Sequence, residues 1–226
     1  HRATFLLLTA APVLFLAALA AGRRLIPAAL PQATRAKGRL RDVLRERAVR
    51  LPLIGSTLAP VIQDLYFFVV PLFASGIGIS ASSIGIILGC CSGTSLGVRA
   101  LLPLLLARMR AWTMVAAMFM ITGAVFVWLP HFSSTPPLIL LSIVAGVSMG
   151  VSAPIVISLL YSALPQGRQA EGMGVRAVLM SSSQVVAPTL VGGLSAALGM
   201  APVLAVVGAG VILYGWMAHT QSKGNT

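Results

Sequence analysis

The chain has 226 residues, of which 58% are hydrophobic and 9% charged, and its formal net charge is +12. A soluble domain of this size needs far more charge to cover its surface, so a water-soluble globule is excluded. Nucleic acid is rejected as a partner as well: most of the basic residues sit at the ends of apolar runs, where they act as topology signals.

Runs long enough to cross a bilayer core recur along the chain, and each must be helical because lipid offers exposed backbone groups no partners. The pattern predicts seven spans, near 3–22, 52–74, 80–106, 111–130, 136–164, 174–198 and 200–219. The first, with Arg2 ahead of it and Ala18-Leu19-Ala20 near its end, also has the form of a signal peptide. Cleavage there would send the Arg-rich stretch 23–50 across the membrane, against the charge pattern. Arg23, Arg24, Arg35, Lys37, Arg39, Arg41, Arg45, Arg47 and Arg50 follow the first span, Arg108 and Arg110 the third, and Arg168 and Arg176 flank the break after the fifth. The intervening breaks at 75–80, 131–135 and 198–201 hold no Lys or Arg. The positive-inside rule therefore places the first residue outside and the last in the cytoplasm of an inner-membrane, multi-pass protein. Trp112, Trp128 and Trp216 lie near predicted span ends, as an aromatic belt requires. In the polar linker 32–50, Arg39, Asp42, Arg45 and Glu46 stand at helical spacing. This is either a short amphipathic helix on the inner surface or a solvated basic connector.

In the second span, Asp64 is the only acidic residue expected at membrane depth. A carboxyl there is costly and is a functional-site hypothesis by default. It shares a broad, irregular face with Thr57, Pro60, Phe67, Phe68, Pro71 and Ser75. Two readings stand open: a carrier that takes up and releases a proton, or a hydrogen-bonded carboxyl that only holds helices together. The third span carries Gly85, Gly89, Gly93 and Gly97 at strict four-residue spacing, a face that lets another helix approach closely. Beside it lie Ser92, Ser95 and Arg99, whose guanidinium either snorkels to the interface or meets an anion in a cavity. The fifth span has Gly146, Gly150 and a kinking Pro154. The sixth carries a small polar stripe of Gly174, Ser181, Gln184, Pro188, Gly192 and Ser195, either a helix seam or a pathway lining.

No phosphate-binding loop, H-E-x-x-H or G-x-S-x-G occurs, and His1, His131 and His219 lie at or near span ends, away from Asp64. Cys90 and Cys91 are adjacent in an apolar run and fit neither a disulfide framework nor a metal site. No catalytic pair, metal or cofactor is therefore expected, and no enzyme.

The stretches Gly146-Val-Ser-Met-Gly-Val-Ser-Ala-Pro154, Leu164-Pro-Gln-Gly-Arg168, Glu171-Gly-Met-Gly-Val-Arg176 and Ser183-Gln-Val-Val-Ala-Pro188 resemble the tenth and eleventh helices of the major facilitator superfamily. More narrowly, they resemble its bacterial drug-efflux-type permeases. Gly78-Ile-Ser-Ala-Ser-Ser-Ile-Gly85 looks like the start of the eighth helix, and residues 35–50 look like the central cytoplasmic linker. Leu106-Ala-Arg108-Met-Arg110 stands where a degenerate copy of the family's signature loop would fall, without its aspartate. Pro188-Thr-Leu-Val-Gly192-Gly193 resembles the antiporter motif, in the other half and with one extra residue.

The resemblance implies an all-α membrane fold: a six-helix half built of two inverted three-helix repeats, preceded by one helix. Residues 1–31 would hold the equivalent of the sixth helix, 32–50 the basic linker, 51–220 the C-terminal half and 221–226 a cytoplasmic tail. The N-terminal six-helix half would be missing, in keeping with a chain that starts at His1 rather than Met. The function implied is secondary active transport by alternating access, with proton-coupled export of a small amphipathic compound. Asp64, Arg99, Ser181 and Gln184 would line the substrate and proton pathway, and Arg108, Arg110, Arg168, Glu171 and Arg176 the cytoplasmic loops. The rivals are a half-size protein acting as a homodimer, or a non-transporting scaffold or receptor.

Overall fold

A computed structural model describes residues 47–224. The predicted span at 3–22 and the linker residues 32–46 lie outside the described residues. The rest forms six helices: α1 (Arg47–Gly76), α2 (Ala81–Arg108), α3 (Ala111–Trp128), α4 (Thr135–Ala163), α5 (Gln169–Leu198) and α6 (Met200–Gly224). A single 3₁₀ turn, Leu129–His131, follows α3. No strand occurs among the described residues. Each helix is long and apolar enough to cross a membrane, so the fold is an all-α membrane fold.

The helices match the second to seventh predicted spans, with differences at their ends. Apolar patterning starts α1 at 52 and α5 at 174, yet they begin at Arg47 and Gln169. Helical hydrogen bonding continues past the hydrocarbon into polar residues, which hydropathy does not register. As a result Glu171 and Arg176, expected in a cytoplasmic loop, lie near the start of α5, within its helix.

The connections are short and chemically specified. Gly78 takes a φ of 81°, Ile79 N–H bonds Ala74 C=O at 3.0 Å and Gly78 N–H bonds Ser75 C=O at 3.1 Å. This is a Schellman closure, and its left-handed residue favours glycine. Two residues later Ser80 caps α2, its Oγ accepting from Ser83 N–H at 3.3 Å.

Helix α4 lies at the centre, packed on α1, α2 and α3, while α3 also packs broadly on α6, and α5 leans on α1 and α6. The α2–α4 contact is close: a Cβ on Gly146 would stand 2.3 Å from the Cys91 carbonyl oxygen, and one on Gly150 would stand 2.7 Å from that of Ser95. The α3–α6 contact is as close. A Cβ on Gly123 would meet the Gly208 oxygen at 2.6 Å, and one on Gly208 would meet the Gly123 oxygen at 2.6 Å. Polar bridges cross the core, with Tyr66 Oη and Ser142 Oγ 2.6 Å apart and Thr122 Oγ1 donating to Ser148 Oγ at 2.8 Å. Such bridges join membrane helices without leaving a polar group bare in an apolar interior.

Burial is uneven. Of the most apolar stretch of α5 only 6% is buried, and of α2 17%, against 50% for α1, 50% for α3 and 56% for α4. The outward faces of α2 and α5 are also rich in small and polar residues: Gly85, Gly89, Ser92, Gly93 and Gly97 on α2, and Ser181, Ser182 and Thr189 on α5.

Candidate functional site

Asp64 stands about 25 Å along α1 from Arg47 and about 18 Å from Gly76, at 1.5 Å per residue, so it lies well inside the span. Its side chain is exposed at the protein surface and is met there by α5: Gln184 Nε2 donates to Asp64 Oδ2. The two residues are 120 positions apart in sequence, and the bond ties the two helices at mid-depth. The bond engages one of the two carboxyl oxygens, so the second can accept a further donor.

The same two helices are clipped nearer the N-terminal end of α1. Pro60 has no N–H to give the Ser56 carbonyl four residues back, so that oxygen loses its helical partner. Arg176 replaces it, Nε donating to Ser56 O at 3.2 Å. Arg168, the N-cap of α5, is buried and holds Glu171 Oε2 through Nε at 3.0 Å and Nη2 at 2.9 Å. Arg110 is the N-cap residue of α3, without a side-chain capping bond.

Arg99 is not brought to Asp64. It lines a separate cavity of about 160 Å³ between α1, α2 and α4, with Gln63, Phe67, Ser92 and Ser95 among its walls. Ser181 is exposed on α5 and lines neither this cavity nor a groove of about 340 Å³ formed along α5 by Ser182, Ser183, Val186 and their neighbours with Val61. Gly85, Gly89, Gly93 and Gly97 face open space: a Cβ on any of them would meet no atom within 4 Å. Pro154 and Pro188 both lie inside continuous helices. Gln63 was not anticipated from sequence. It is a polar residue within an apolar span, a signal of the same kind as that of the neighbouring Asp64.

A family model described as Major Facilitator Superfamily matches residues 2–188. The chain belongs to the major facilitator superfamily. No curated protein sequence matches it. Members of this superfamily are membrane transporters, so this chain is a multi-pass facilitator-family transporter of small substrates in a lipid bilayer.

Proposed function

We propose that this chain is the C-terminal part of a proton-coupled secondary transporter that exports a small amphipathic organic compound by alternating access. Residues 51–220 form the six-helix half in two inverted repeats, α1–α3 and α4–α6, with one further span before the basic linker 32–50. The N-terminal half covers the exposed, small and polar faces of α2 and α5, which suit a protein partner or water better than lipid tails. Asp64, Arg99, Ser181 and Gln184 line the pathway on this side, and Asp64 carries the proton. The drug-efflux direction rests on the resemblance of the α4–α5 motifs to efflux-type permeases. The N-terminus of the chain lies outside, and the C-terminus is cytoplasmic.

The observation that carries this reading is the Asp64–Gln184 bond at mid-depth. A proton on Asp64 removes the charge that Gln184 stabilises, so protonation weakens the tie between α1 and α5 and frees them to move apart. The test is proton flux in proteoliposomes holding the whole transporter. Asp64→Asn abolishes flux driven by a solute gradient, whereas Asp64→Glu retains part of it. Unchanged flux in Asp64→Asn contradicts the coupling role.

A further inference from the structure

We propose that the Arg99 cavity binds the anionic head group of the transported compound, which makes the substrate an amphipathic organic carboxylate. The inference rests on the transport reading above and adds the chemical class of the substrate to it.

The first ground is charge. The described residues contain two carboxylates, and both are engaged: Asp64 with Gln184, and Glu171 with Arg168. Arg99 makes no ion pair or hydrogen bond among the described residues. It stands about 14 Å of helix inside the C-terminal end of α2, at 1.5 Å per residue. Its side chain is exposed at the mouth of the cavity, and its planar fork suits a carboxylate held through two parallel bonds.

The second ground is the lining. Gln63 contributes an amide, Ser92 and Ser95 contribute hydroxyls, and all three can donate to the same anion. Phe67 and Leu96 give the cavity an apolar side. Its volume of about 160 Å³ is well under the ~300 Å³ at which drug-sized pockets begin. It therefore takes a head group, and the apolar body of the ligand extends beyond it.

The third ground is position. Gln63 and Asp64 are consecutive on α1, and successive helical residues point about 100° apart. One turn of α1 thus presents Gln63 to the anion cavity and Asp64 to Gln184 of α5. A ligand seated at Arg99 lies against the same turn that carries the proton site, so its binding and the state of the α1–α5 tie act on one element.

Two anion sources share this chemistry: a substrate carboxylate and a lipid phosphate reached by snorkelling. Benzoate binding to the whole transporter in phosphatidylcholine nanodiscs separates them, with benzyl alcohol and benzylamine as uncharged and cationic counterparts. Benzoate binds in preference to both. Arg99→Gln weakens it about tenfold or more, as removal of a charge-assisted bond requires, while the charge-preserving Arg99→Lys, which lacks the two-pronged fork, binds more weakly than Arg99 and more tightly than Arg99→Gln. Absence of benzoate binding in these nanodiscs, or equal affinity in Arg99→Gln, overturns the proposal and leaves Arg99 to a lipid phosphate. The two claims fail separately. Benzoate binding with unaltered proton flux in Asp64→Asn would sink the coupling reading alone, and Asp64-dependent flux without benzoate binding would sink the anion site alone.

Discussion

At the scale of single residues, the junction of α1 and α5 depends on polar groups that proline and depth leave in need of partners. Pro60 withholds a donor from Ser56 C=O, and Arg176 supplies one. Arg176→Gln should lower stability in detergent by about 1–3 kcal/mol, the cost of leaving such a group unsatisfied. On a Pro60→Ala background, where the helix can satisfy Ser56 itself, the same substitution should cost clearly less, so a double-mutant cycle of thermal unfolding reads the coupling directly. Equal losses on both backgrounds would show that Arg176 does not serve that carbonyl. Asp64, Arg99, Ser181 and Gln184 were each legible in the sequence as polar groups in apolar runs. Which of them meet was not. Asp64 and Gln184 sit 120 residues apart, and their contact follows from how α5 leans on α1, which no local pattern encodes. Arg99 went instead to a cavity completed by Gln63.

At the scale of elements, four-residue spacing does not by itself say which glycines pack within these six helices: Gly146 and Gly150 of α4 press on the α2 backbone. The regular stripe of Gly85, Gly89, Gly93 and Gly97 touches nothing within 4 Å. The scattered Gly123, Gly208 and Gly215 let α3 and α6 come together, and a Cβ on Gly215 would stand 3.0 Å from the Ala116 oxygen. Those three are spread over two helices and fall in no four-residue repeat, so they passed unnoticed in the sequence. Gly208→Ala should destabilise the fold by about 1–3 kcal/mol, because backbone lies in its way and overpacking is not relieved by a rotamer change. Gly89→Leu should leave thermal stability of the isolated six-helix contacts unchanged but suppress transport, because the open α2 face is where the other half is proposed to sit. A Gly89→Leu variant that transports normally would remove that face from the working interface. The existence of the six described helices, by contrast, was readable from the sequence, since each span is long and its composition leaves helix as the only structure lipid permits. The ends of α1 and α5 were missed because polar helical turns such as 169–173 carry no apolar signal.

At the scale of the whole molecule, the unequal burial of the helices organises the functional reading. Buried α4 is a hub whose hydroxyls are paired within the core, through Ser142 with Tyr66 and Ser148 with Thr122. Poorly buried α2 and α5 present the glycine stripe, Ser92, Ser181 and Ser182 outward. A surface of that chemistry suits a water-filled pathway or a second helical body, and rocking between two bodies is how transporters with inverted repeats expose one site to each side in turn. Membership of the superfamily follows from the match over 2–188. The most direct measurement is thiol labelling of Ser181→Cys in a whole transporter lacking Cys90 and Cys91, with Leu140→Cys, exposed on the outer face of α4, as the lipid-facing control. A membrane-impermeant maleimide should label position 181 from either side of the membrane, with substrate altering the rate, and should leave position 140 unlabelled. Equal protection of both positions from both sides would place the α5 face in lipid and contradict a pathway along it.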